Sequence, residues 1–475
     1  MKLVKLSLVA ALAAGSFSAL NAVALEDAIK NVEVGGMMRY RYDSVNWKKA
    51  DLNAAGLSGS QRHHFRAFVT PKISVGDGFT FVGQVMYNND NNAGYGLDGV
   101  STEGSNTNQY TITKQPIVLK QAYLQYDLPD AGLQLLLGKQ SLGTIWTNDF
   151  TGTAAKVLVT PTEGLTIAAF AVDSFEGHSG DSDAANFANA GINFKKLRIT
   201  PNTTLTEQDG SANFAPLNNR LYQYNMYGAA VLANFAGLDL QLWGNYWDKT
   251  ATLYAANLNY KLDLGNKNNV GVKVTYLGNI LQGNLKNIVI GTTDDADATV
   301  VKLSDIAANG NLVDGRLFAN FAGLDAQVGG IFFGKKEKLT INTLEEVDTP
   351  AGLYIGREIF YSKGSWTVLS LGQNTFGYVG VGYTLPMDLR VGVQGVFGQN
   401  KVHNSLKDNR YEISADVSYK VSKNLSFLAY YSYLDINDKS SKDADDPTNS
   451  VSYFQAAAGD KTSKQTVRLQ ALYKF

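Results

Sequence analysis

The chain has 475 residues, with 42 basic and 43 acidic side chains and no cysteine. A net charge of −1 gives no support for nucleic-acid binding, which draws on a basic excess. The missing thiols exclude disulfides, zinc–thiolate sites and cysteine nucleophiles. There are 25 Tyr, 22 Phe and 46 Gly against 9 Pro, and no apolar run beyond the N-terminal stretch is long enough for a membrane-spanning helix. Many short alternating strands suit that balance.

Residues 1–22 read as a cleaved secretory signal. Lys2 and Lys5 form its charged end, Leu6 to Ala14 its apolar stretch, and Ala22 (alternatively Ala24) its cleavage point. Cleavage removes two lysines and no acid, so the mature chain, 23–475, is mildly acidic. Leu25 to Lys30 is expected to form one helical turn. The first strand then runs from Val32 to Asp43, with Val34, Gly36, Met38, Tyr40 and Tyr42 on one face and Glu33, Arg39, Arg41 and Asp43 on the other. The second sets Phe65, Ala67, Val69, Ile73 and Val75 against His64, Arg66, Thr70, Lys72 and Ser74, and ends in the turn signal Gly76-Asp77-Gly78. The third has Phe79, Phe81, Val85 and Tyr87 on its apolar face.

From there short and long connections alternate. The short ones fall at 129–132, 161–164, 236–237, 263–269, 322–323, 386–388 and 422–424. The long ones fall at 44–60, 88–116, 141–153, 174–220, 280–311, 335–374, 399–409 and 435–465, with a brief one at Asp248-Lys249. Tyr354 to Tyr361, inside 335–374, reads as an alternative extra strand. The last strand alternates Val467, Leu469, Ala471, Tyr473 and Phe475 with Arg468, Gln470 and Lys474, and ends on its aromatic residue. A soluble β-sandwich is disfavoured, because each strand has one apolar face and one polar or mixed face while an export signal precedes them. The fold expected is all-β: a transmembrane antiparallel barrel of about 18 strands, with short periplasmic turns, long outer loops and both termini in the periplasm.

The polar face carries the functional reading. Of the histidines His63, His64, His178 and His403, only His64 faces inward, and no spacing sets a His against a carboxylate and a nucleophile; the chain reads as no enzyme. Arg39 and Arg41 point inward from the first strand, Arg66 from the second and Arg468 from the last. Barrel closure makes those strands neighbours, with the arginines at similar height. The bland alternative pairs these arginines with Glu33 and Asp43; the functional one makes them the basic wall of a pore constriction. The loop 141–153, with Ile145, Trp146 and Phe150, is too apolar for an exposed surface. It is expected to fold into the lumen and present Asp149 to the opening, and the 174–220 loop, after Asp173, is expected to be able to fold in as well. Asp294, Asp295, Asp297, Asp443, Asp445 and Asp446 read as solvated outer loops rather than calcium sites. Tyr123, Trp243, Trp247 and Tyr430 read as inward wall packing.

The stretches MKLVKLSLVAALAAGSFSA, MRYRYD, GKQ…IWTND, GLTIAAFAVDSF, LWGNYWD, TYLGN, EIFY, FGYVGVGYT, AYYSYLDIN and TVRLQALYKF are together similar to the major outer membrane protein of Campylobacter, from the signal to the terminal Phe. The resemblance implies a trimeric general diffusion porin of the outer membrane, in contact with its lipids and passing ions and small hydrophilic solutes. A substrate-specific channel or a surface adhesin barrel is the alternative. It also implies a calcium ion near the constriction, carried over here to Asp149 and Asp173. Asn148 precedes Asp149, which displaces the acid by one residue from the family's WTDN.

Overall fold

The structure, a computed structural model, describes residues 32–48, 60–88, 117–147, 151–175, 199–201, 225–287, 289–293, 300–344, 356–359, 366–401, 407–438 and 461–475. The expected signal, the helical turn at 25–30, His178, His403, Asp149, Phe150 and the two acid runs lie outside the described residues. The barrel strands are β1 (Val32–Lys48), β2 (Ser60–Gly76), β3 (Phe79–Asn88), β4 (Val118–Leu128), β5 (Leu133–Ser141) and β6 (Thr151–Thr162). They continue as β7 (Leu165–Phe175), β8 (Met226–Phe235), β9 (Leu238–Trp247), β10 (Ala251–Gly265), β11 (Asn268–Leu281) and β12 (Asn311–Phe321). The last six are β13 (Leu324–Leu344), β14 (Trp366–Thr384), β15 (Leu389–Lys401), β16 (Lys407–Lys420), β17 (Leu425–Asp438) and β18 (Lys461–Lys474).

Each strand pairs antiparallel with its neighbours in the chain, and β18 returns to pair with β1, closing an 18-stranded barrel. Period-2 alternation explains why. On β16, Tyr411, Ile413, Val417 and Tyr419 are exposed while Glu412, Ser414 and Asp416 are buried. On β18, Val467, Leu469 and Tyr473 are exposed while Thr466 and Arg468 are buried. So continuous an apolar exterior is costly in water and matches hydrocarbon. Aromatic side chains edge it at both ends: Phe79, Phe235, Tyr260, Phe321 and Tyr383 near the short turns, and Tyr40, Phe65, Tyr246 and Tyr411 toward the long connections.

The short turns carry the backbone that hairpins need. Ala236 and Gly237 have φ of 48° and 85°, and Ala322 and Gly323 have 50° and 87°. Positive φ at both central residues is the turn whose twist matches that of the flanking strands. The seam between the chain ends is tied at Gly36. Its amide donates to the Phe475 carbonyl at 2.9 Å, and the Phe475 amide donates back at 3.1 Å. A Cβ on Gly36 would lie 2.4 Å from the Phe475 ring, so the absent side chain lets the terminal aromatic lie across β1.

Two features differ from the sequence-based expectation. The stretch 335–374 is not wholly a loop: β13 runs on to Leu344 past an irregularity between Lys335 and Leu339, and β14 begins at Trp366. No strand forms at 356–359, where an extra one was expected as an alternative; a bend sits there. The interior is mixed, in keeping with the polar or mixed inner faces and the inward Trp247 expected of the strands. In the half nearer the long connections the inner wall presents Met226, Trp247, Leu253, Leu281, Leu312 and Phe333, all buried, and Leu303 and Ala307 of the 282–310 connection are buried as well. Beyond the barrel, Ile199–Pro201, Val289–Thr293 and Val300–Lys302 form a small antiparallel sheet.

Candidate functional site

The β5–β6 connection turns into the barrel. Leu142, Ile145 and Trp146 are buried, with Thr144 and Thr147 bonded to each other through their hydroxyls at 2.6 Å. The Trp146 ring meets Trp243 of β9 edge-on at 6.2 Å, and Trp243 lies 6.5 Å from Phe170 of β7. The apolar side of this loop therefore packs on the inner wall at β9, three strands on from β6.

The expected arginines all lie on the inner wall. Arg39 of β1 is opposite Arg66 of β2 in the strand register. Arg41 is opposite Gln470 and donates to its side-chain oxygen at 3.1 and 3.0 Å. Arg468 grips Asp43 with two bonds, at 2.6 and 2.9 Å, and His64 lies 3.5 Å from the same carboxylate. For Arg468 and Asp43, then, the simple ion pair forms.

Arg468 also starts a row that sequence reasoning did not assemble. Following the ladder, Asp43, Arg468, Tyr430, Asp416, Gly392, Gly382 and Asp325 stand side by side on β1, β18, β17, β16, β15, β14 and β13. The two glycines in this row leave a shallow floor, and Arg390 lies across it. Its guanidinium donates to Asp325 at 2.8 and 2.7 Å on one side and to Asp416 at 2.7 Å on the other. A Cβ on Gly382 or Gly392 would fall 2.1 or 2.7 Å from that guanidinium.

The β13–β14 connection enters the lumen beside this row. Arg357 places its guanidinium 3.6 Å from Asp416 and 5.0 Å from the Tyr430 ring centre, and Arg468 lies 5.4 Å from the same ring. Tyr430 is therefore held between two cations, a closer role than the wall packing expected of it. Glu358 pairs with Lys464 of β18. Backbone amides of Arg357, Glu358 and Ile359 converge on Glu412 of β16.

A model of the Campylobacter major outer membrane protein family matches residues 1–474. The chain belongs to the Campylobacter major outer membrane protein family. Comparison with curated protein sequences gave no match. Solved structures with the same fold include Pseudomonas aeruginosa OpdL, at 12% identity and TM-score 0.54 over 94% of this chain and 99% of that one. Pseudomonas aeruginosa OccK9 (OpdG) is similar at 13% and 0.56, over 94% and 100%. Acinetobacter baumannii OccAB4 is similar at 11% and 0.54, over 93% and 98%. At such identities the likeness establishes the barrel fold for this family member.

In this Campylobacter-family barrel Asp173 is exposed on β7, at a point where the register with β6 skips it: Val172 faces Ala154 and Ser174 faces Thr153. Among the described residues no three His, Asp or Glu side chains gather to hold a metal, and calcium takes six to eight oxygen ligands. Sequence reasoning missed Asp325, Arg357, Glu358, Arg390, Glu412, Asp416 and Lys464 as site residues. The available signal was the acid pair four apart on β16, where a simple wet wall needs no such pair, together with the charged Arg357-Glu358 between apolar residues.

Proposed function

We infer that the chain is a general diffusion porin of the outer membrane, a water-filled channel for ions and small hydrophilic solutes. The observation that carries this is the charged row from Asp43 to Asp325 on the inner wall, with Arg357 brought against it from inside the lumen. Fixed charges of both signs at a narrowing favour solutes that can exchange water hydrogen bonds for polar contacts. They disfavour apolar solutes, which strip water and replace nothing. The short turns on one side and long connections on the other support periplasmic termini. The proposed narrow section also includes Arg39, Arg41, Arg66 and Asp149. Trimeric assembly and calcium held through Asp149 and Asp173 rest on the family resemblance alone.

Planar-bilayer recording tests the reading. Ohmic currents that do not saturate across many small electrolytes are expected; current blocked or saturated by a single solute class favours the substrate-specific alternative, and absent conductance overturns the pore. Heat-sensitive migration at three times the chain mass tests the trimer. A rise in unfolding temperature on adding calcium, abolished in Asp173→Asn, tests the ion.

A further inference from the structure

Glu412 is buried on the inner face of β16, 1% exposed, inside a lumen that is otherwise a place for water. Four donors meet its two oxygens. The Arg357 amide and the Ser432 hydroxyl reach Oε1, the latter at 3.1 Å. The Glu358 and Ile359 amides reach Oε2 at 3.0 and 2.9 Å. The preceding amide, of Gly356, donates to the Gln394 side chain at 3.2 Å. Gly356 has φ of +68°, and a Cβ there would stand 2.6 Å from Glu412 Oε2, so the chain can approach the carboxylate this closely only without a side chain. Successive backbone amides turned onto one anion form a cradle for negative charge. Here the anion belongs to the barrel wall and the cradle to the inserted segment. The second acid nearby, Glu358, is answered by Lys464.

We propose that Glu412 is the positioning residue of the pore: it holds residues 356–359 inside the barrel and so sets the Arg357 guanidinium against Asp416 and Tyr430. The proposal deepens the porin reading and rests on it. Glu412 lies four residues from Asp416 along β16, about 13 Å toward the outer side. The segment is thus fixed above the charged row by its backbone, and only the Arg357 side chain reaches down to it. Glu412 sets the position of the charge, and Arg357 presents that charge to the solute.

Glu412→Gln is the informative change. It keeps size and shape, but its NH2 meets the Glu358 and Ile359 amides in one orientation and the Arg357 amide in the other, where the Ser432 hydroxyl can turn to accept, so at least one backbone donor is opposed whichever way it turns. Two measurements read the result. Amide exchange in detergent should find 357–359 protected in the parent, and accelerated about tenfold or more in Glu412→Gln, with the β16 and β17 amides unchanged. Single-channel recording should show a larger or flickering unitary conductance in the variant. Arg357→Ala should move the reversal potential in the parent and move it little in the Glu412→Gln background. Rapid exchange of 357–359 in the parent overturns the proposal, and so does a variant with parental exchange and conductance. If Glu412→Gln does not insert, the parent's exchange alone decides. A parent that does not conduct overturns the porin reading, while its exchange still tests the latch.

Discussion

Arg390 shows how single side chains build the pore wall. It spans from Asp325 of β13 to Asp416 of β16, and it can lie flat only because the two residues beneath it, Gly382 and Gly392, have no side chains. Each guanidinium–carboxylate contact is short and charge-assisted, and the Asp416 side chain is 2% exposed, so loss of the arginine leaves a buried carboxylate with weaker partners. We expect Arg390→Ala to cost roughly 1–3 kcal/mol, the range for a buried polar group deprived of its partner. It should also make the channel more cation-preferring, because one positive charge leaves the inner wall while Asp325 and Asp416 stay. Gly382→Val should move selectivity the same way by displacing the guanidinium. Reversal potentials under a salt gradient measure both; if Gly382→Val behaves as the parent does, the guanidinium does not depend on that floor. None of this was legible in the sequence. Glycines occur throughout such strands, and only the register shows that these two stand side by side between two acids.

At the scale of the strand, the sequence was far more transparent. An outer face that meets hydrocarbon and an inner face that meets water impose opposite chemistry on successive residues, so Leu469 and Arg468, or Ile413 and Glu412, announce their sides directly. Short turns were legible for a related reason: positive φ calls for Gly, Asn or Asp, as at Asp77-Gly78. The segments that turn inward follow no period, because they pack against a wall rather than in a ladder. Trp146 gave itself away by being too apolar for a loop, whereas Arg357-Glu358 is marked only by the apolar residues around it. Two predictions belong here. Val393, 55% exposed on the outer face of β15, replaced by Arg should impair assembly by roughly 2–4 kcal/mol near the bilayer midplane. A variant that inserts and resists heated detergent like the parent would show that this face is not lipid-exposed. Deletion of Phe475 should lower the outer-membrane yield. It removes both backbone bonds to Gly36, each worth about 0.5–1.5 kcal/mol, and an aromatic at the interface. An undiminished yield contradicts the role given to the seam.

The whole barrel joins residues that lie far apart in the chain, and its electrostatics follow from that closure. Asp43 and Arg468 are separated by 425 positions, yet they form one ion pair, because β1 and β18 are neighbours only once the cylinder is shut. The same closure gathers Arg39, Arg41, Arg66 and Arg468 on one wall. Asp43 is committed to Arg468, while Gln470 bonds Arg41 without neutralising it, so Arg41 contributes positive field to that wall. Salt screens this field least where the lumen is narrow and its walls are of low dielectric. Removing charge from the wall and from the inserted β5–β6 loop should therefore act in opposite senses. Arg39→Ala combined with Arg41→Ala should raise cation preference about twofold or more, since positive charge is removed from the wall that lines the lumen. Asp149→Asn should shift preference toward anions, and should also weaken any calcium held there, because a hard cation prefers ionised carboxylates. The reversal potential across a salt gradient reads both variants on one scale. Raising the salt from low to high should shrink both shifts together, as screening requires. If the two variants move it in the same direction, or neither moves it, the arginine wall and Asp149 do not share the narrow section of the pore.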